Sequence, residues 1–94
     1  MPRTAIRFTV QVWRENGTCV AYAPELDISS CGDSVRQAET RLREAVALFL
    51  EESLRMGTLQ EILSETGFKK DGRTYRPRRL LVRQKVRLAI PIAS

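Results

Sequence analysis

The sequence predicts an α+β domain of order β-β-β-α-α-β, an antiparallel-rich sheet with a long helix packed on one face. Three observations carry this. Residues 5–13 alternate apolar and polar side chains and lead through Asn16-Gly17 into a second alternating run, the pattern of a hairpin. Residues 35–56 repeat apolar side chains at helical spacing between a capping serine and a stopping glycine. A last alternating run, residues 81–90, supplies a closing strand.

Taken in order, Ala5 to Trp13 is the first strand. Ile6, Phe8, Val10 and Val12 share one face, and Arg7, Thr9 and Gln11 share the other. Trp13 falls on the polar face, as a rim residue or as an anchor for a partner. Asn16-Gly17 favours positive φ at two successive positions. Thr18 to Ala23 then runs antiparallel to the first strand and stops at Pro24, which has no N–H to donate. Leu26 to Cys31 is a short third strand.

Gly32-Asp33-Ser34 stops the sheet and starts the helix, with Asp33 or Ser34 as the cap. Ser34 and Gln37 fit a reciprocal capping box. Val35, Ala38, Leu42, Ala45, Val46, Phe49 and Met56 form the expected buried stripe, with Leu50 at its margin. Glu39 with Arg43, and Glu51 with Arg55, are i,i+4 pairs on the solvated flank. Leu48 lies on the polar side, exposed or against a partner. Gly57 ends the helix. Thr58 and Glu61 suggest a second capping box for a short helix, residues 59–66, which ends at Gly67. Residues 73–79 read as basic and irregular, and Leu81 to Ile90 as the last strand, closed by Pro91.

A chain of 94 residues with 43% apolar content supports one small core. The expected organisation is a single domain, 1–94: a core at 5–56, the short helix at 59–66, and a basic segment with the last strand at 69–91. No apolar run reaches the length of a spanning helix, and the first residues alternate like a strand rather than forming a signal peptide. A cytoplasmic protein without membrane association is expected. Two cysteines, Cys19 and Cys31, are too few for a disulfide scaffold and read as small buried hydrophobes.

Histidine is absent, which removes the commonest general base and metal ligand. Glu25, Asp27 and Asp33 form a small acidic group, best explained as turn and cap residues, with Asp27 also open to a partner. No catalytic residue, metal or cofactor is expected, and the chain is read as a binding protein rather than an enzyme. Charge is unevenly distributed: residues 67–94 hold nine basic groups against one acidic, +8, whereas residues 1–66 hold seven against ten, −3. Lys69, Lys70, Arg73, Arg76, Arg78, Arg79, Arg83, Lys85 and Arg87, with Tyr75 among them, suit nucleic-acid phosphates or an acidic protein. They equally suit a charge-protected strand edge.

The stretch Val20-Ala21-Tyr22-Ala23-Pro24-Glu25-Leu26, then Gly32-Asp33-Ser34, then Ala38 and Glu44-Ala45, resembles the HicB antitoxin family. The run GTLQEILSETGF also looks like the tail of its short members. Ser34 stands where Thr is usual and Gln37 where Glu is common, and no DNA-binding module is read after Ile90. The resemblance implies a degenerate ribonuclease-H-like fold without nuclease activity. It implies an antitoxin that binds a HicA-like toxin, a small messenger-RNA endonuclease, and blocks its active site. It also implies a homo-oligomer. The alternative is a solitary member of the family, reused as an oligomeric module that binds nucleic acid or another protein through the basic segment.

Overall fold

The computed structural model describes residues 3–92. It holds six strands and two helices in an α+β arrangement, with the long helix on a sheet as the sequence predicts. The strands are β1 (Ala5–Ile6), β2 (Gln11–Glu15), β3 (Thr18–Ala23), β4 (Ile28–Gly32), β5 (Lys69–Asp71) and β6 (Thr74–Arg76). The helices are α1 (Val35–Met56) and α2 (Leu59–Glu65). Two three-stranded sheets form, ordered β2-β3-β4 and β1-β6-β5. The first is antiparallel throughout, and β1 joins β6 in parallel.

The predicted first strand is therefore divided, with one end in each sheet. Its alternation survives the division: Ile6, Phe8, Val10 and Val12 pack against the core, while Arg7, Thr9 and Gln11 are exposed. A carboxylate interrupts the ladder. Glu25 accepts the Thr9 N–H at 2.8 Å and the Thr9 hydroxyl at 2.6 Å. Pro24 has already turned the chain away after Ala23, so the side chain of the next residue supplies the acceptor that a continuing strand would have supplied. The Ala5 and Arg7 N–H groups then bond Arg73 O and Tyr75 O of the other sheet.

Asn16 and Gly17 have φ of 51° and 80°, the geometry expected of a two-residue hairpin between Glu15 and Thr18. The third strand begins at Ile28, not Leu26. Pro24 to Asp27 form a turn in which Asp27 takes φ 54° and Leu26 is buried in the core.

Helix α1 matches its predicted bounds because both ends carry strong local signals. Ser34 is the N-cap, accepting the Gln37 N–H at 3.0 Å. Asp33 is not the cap. The Gln37 side chain reaches back to the Asp33 N–H at 2.6 Å rather than to that of Ser34, so the reciprocal bond lies one residue early. Gly57 ends the helix at φ 77°, its N–H bonded to Leu54 O.

The core consists of Ala38, Leu42 and Val46 from the helix, Cys19, Ala21 and Ala23 from β3, and Leu26, Leu63 and Phe68. Val35 and Met56 are exposed, contrary to the predicted stripe; both sit at helix ends that overhang the sheet. Ser53 takes the buried position near the end instead, with its hydroxyl donating to Phe49 O. Arg55 pairs with Glu52 rather than Glu51, and Glu39 with Arg43 forms no bridge among the described residues. Thr58 donates no cap to α2; its side chain faces Ser53 O at 3.4 Å.

Beyond α2 the structure departs furthest from expectation. Residues 69–76, predicted in part to be irregular, form a hairpin across Gly72-Arg73. Residues 81–90, predicted to be the last strand, pair with no strand among the described residues. The radius of gyration is 16.6 Å, against about 12 Å for a compact chain of this length. Residues 78–92 account for the difference, being exposed throughout. No helix among the described residues is long and apolar enough to cross a membrane.

Candidate partner-binding face

Helix α1 covers one face of the β2-β3-β4 sheet and leaves the other bare. Strand alternation decides what the bare face carries. On β3, Cys19, Ala21 and Ala23 point into the core, so Val20 and Tyr22 point out. Register then aligns Trp13, Val20 and Cys31 in one row and Gln11, Tyr22 and Ser29 in the next.

Trp13 and Tyr22 meet diagonally, ring centroids 6.1 Å apart and planes at 69°, an edge-to-face pair. The Tyr22 hydroxyl donates to Asp27 Oδ1 at 2.8 Å. That hydrogen bond, with some desolvation and the carboxylate's charge, raises the Tyr22 phenol above its ordinary pKa. Trp13 is still 43% exposed. The result is a flat patch with an aromatic centre, a fixed carboxylate at its border and a thiol beside it. Such a patch is suited to covering by another protein, because aromatic side chains provide large contact area with little rotamer entropy to lose.

Of the predicted contact residues, Trp13 and Asp27 are thus brought together, with Tyr22 as the bridge. Leu48 is 61% exposed on α1, on the opposite side of the sheet, and belongs to no common site with them. Cys31 corrects the expectation of two buried thiols. It is exposed on the bare face, whereas Cys19 is buried, and the two point to opposite faces of adjacent strands. Tyr22 and Cys31 were the functional candidates that sequence reasoning missed. Their alternation on β3 and β4 was readable; which face the helix leaves open was not.

The residues of the family-like motif are mostly structural joints. Pro24 and Glu25 form the corner and its clamp, Leu26 and Ala38 are core, and Ser34 is the helix cap. Gly32 is buried so close to α1 that a Cβ there would meet Ala38 N at 2.8 Å. Val20 alone of the apolar members faces out on the sheet, while Ala21 faces in and Ala45 lies half-buried on the helix. Glu44 is exposed on α1, and Asp33 offers its N–H to Gln37.

The basic residues divide into two groups. Lys69, Lys70, Arg73 and Arg76 belong to or flank the β5-β6 hairpin. Arg76 is bound to Asp71 at 3.2 Å, and Lys70 Nζ lies 6.0 Å from the Tyr75 ring. Tyr75 is half-buried, with its hydroxyl 3.1 Å from the Gln60 amide, so its ring is packed rather than presented for stacking. Arg78 lies with its guanidinium against Gly67. Arg79, Arg83, Lys85 and Arg87 project from the extended arm with their charges in solvent.

Glu25, Asp27 and Asp33 do not converge: Glu25 holds Thr9, and Asp27 holds Tyr22. No group of three metal-ligating side chains occurs among the described residues. A cleft of about 390 Å³ lies between α1, α2 and the β1-β6-β5 sheet and is lined by Ile6, Leu50, Leu54, Leu59 and Tyr75. Comparison with protein-family models, with curated proteins and with solved structures gives no match for this chain.

Proposed function

We propose that this chain is a HicB-like antitoxin that acts in the cytoplasm by binding, without chemistry of its own. Its partner is a HicA-like messenger-RNA endonuclease, neutralised by direct contact. The observation that carries the reading is the bare sheet face, where exposed Trp13 and half-buried Val20 and Tyr22 lie beside the fixed Asp27 carboxylate. A basic RNA-binding protein offers cationic groups that suit that carboxylate, while the aromatic pair supplies the desolvated centre. The motif supports the same reading, since Glu25, Gly32, Ser34 and Ala38 hold the hairpin and helix that present this face.

The test is inhibition of messenger-RNA cleavage by a HicA-like protein encoded beside this chain. Full-length protein is expected to suppress cleavage at stoichiometric ratio. Changing Trp13→Ala with Tyr22→Ala should weaken the complex by about 2 kcal/mol or more, roughly thirtyfold in Kd. Undiminished cleavage in the presence of folded wild-type protein refutes the reading.

A second reading is favoured by one separate observation. Arg79, Arg83, Lys85 and Arg87 lie on an exposed arm without a carboxylate partner among the described residues. In this reading the chain is a solitary module binding nucleic acid or an acidic protein through that arm. Filter binding of RNA across a salt series distinguishes it, because phosphate contacts give affinity that falls steeply with salt.

A further inference from the structure

The arm and the first strand are complementary halves of one missing interaction. Strands β1 and β2 each have a hydrogen-bonded neighbour on one side only and stand at the edges of their sheets. The amides that are used, Ala5, Arg7 and Thr9, are all odd-numbered. In an extended chain successive amides point to opposite sides, so those of the even-numbered residues line an open edge.

That edge is also uncovered beneath. Helix α1 packs mainly on β4 and β3 and reaches β2 only at its margin. Ile6, Phe8 and Val10 are consequently only half-buried, and with Arg7 and Arg43 they border a groove along the edge.

The arm has the features this edge lacks. Val82, Val86, Leu88 and Ile90 share one alternation phase, and each is more than two-thirds exposed. Leu80 to Ile90 and Ala5 to Glu15 are both eleven residues, roughly 36 Å when extended. In the structure the arm runs away from its own core, leaving its edge empty.

We propose that the arm of one copy adds as a strand to the open Ala5–Glu15 edge of a second copy, and that the exchange is reciprocal. The backbone of the arm satisfies the even-numbered amides, and its Val82-Val86-Leu88-Ile90 face fills the groove beside Phe8 and Val10. Donor and acceptor lie on the same chain, so two copies related by a twofold axis close the arrangement with both arms and both Ala5–Glu15 edges paired. Arg83, Lys85 and Arg87 take the opposite phase and remain in solvent, which keeps the added strand from recruiting further chains. This interface uses the strand edge, so it leaves the Trp13–Tyr22 face free and stands independently of toxin binding.

The experiment is sedimentation equilibrium of the full chain together with amide hydrogen exchange read by residue. A dimer is expected, with protected amides at residues 82–90 and at Phe8, Val10 and Val12, and with protection that falls on dilution. The double variant Val86→Asp/Leu88→Asp should raise the dimer dissociation constant by about a hundredfold or more while keeping the wild-type far-UV spectrum. Because the arm lies outside the core, this variant folds independently of the outcome; loss of its helical spectrum would itself overturn the proposal by showing the arm to be part of the monomer. An unprotected arm at every concentration overturns it. So does a monomer whose arm is protected, since the arm then sits on its own edge, and so does open-ended association in place of a dimer.

Discussion

At the scale of single residues, Glu25 has the largest role for its size. Its carboxylate satisfies two donors of Thr9 at a point where both sheets lack a backbone acceptor. Truncating it leaves the Thr9 N–H to water, so Glu25→Ala is expected to cost about 1 kcal/mol in urea unfolding, whereas Glu25→Gln retains one acceptor and loses less. The carboxylate was visible in the sequence, but only as a turn residue. Its reach across sixteen positions to Thr9 is a tertiary fact that no local pattern encodes. Tyr22 gives a second prediction at this scale. Asp27 raises its phenol pKa, so the neutral phenol is the form favoured by folding. The stabilisation is present below the unfolded tyrosine pKa and is lost as pH rises through the folded value. Asp27→Asn should lower the Tyr22 titration midpoint toward the ordinary phenol value, followed by the Cζ chemical shift against pH. Cys31 should react with a thiol reagent in the native protein, and Cys19 only on unfolding.

At the scale of elements, legibility follows how local the cause is. Helix α1 was readable to the residue because Ser34 and Gly57 act on their immediate neighbours. The hairpin at Asn16-Gly17 was readable for the same reason. Strand β4 was placed too early because the turn runs on through Asp27, which takes a positive φ that aspartate adopts more readily than most residues. The short hairpin at 69–76 was obscured by its charge, since Lys69, Lys70, Arg73 and Arg76 leave it almost no apolar alternation. The joint between β4 and α1 is a third point of test. Gly32 adopts an unremarkable backbone conformation but lies against the first turn of α1, with Gln37 C at 3.0 Å and Ala38 N at 2.8 Å from where a Cβ would be. Those neighbours are backbone and cannot swing aside. Gly32→Ala should therefore destabilise by about 1–3 kcal/mol, measured by thermal or urea unfolding.

At the scale of the whole molecule, the sequence indicated an α+β fold and the alternation of its strands. It did not indicate which sheet face stays bare, because Trp13, Tyr22 and Asp27 are joined only through strand register. The 81–90 run was a strand by pattern and yet pairs with no strand among the described residues. A period-two pattern reports what a segment can bury, and the surface that buries it need not belong to the same molecule. This division between a packed body and an arm is open to direct measurement. At high dilution trypsin should cut first after Arg79, Arg83, Lys85 and Arg87, leaving the body as a resistant fragment. Arg76 should be spared because Pro77 follows it, and Arg78 slowed by its packing on Gly67.

The divided first strand has a consequence for the order in which the protein is made. Its distal half, β2, pairs with β3 across a two-residue turn, so it can form as soon as those residues leave the ribosome. Its proximal half, β1, pairs with Thr74 and Tyr75, which are synthesised long after it. Closing that long loop carries a larger entropic penalty and must wait for translation to supply the partner. The nascent chain thus carries one finished sheet, a capped helix and an unpaired β1 segment until β6 emerges. During that interval Ala5 and Ile6 lack the β6 strand that later pairs with them, which makes β1 a late part of the body to be secured.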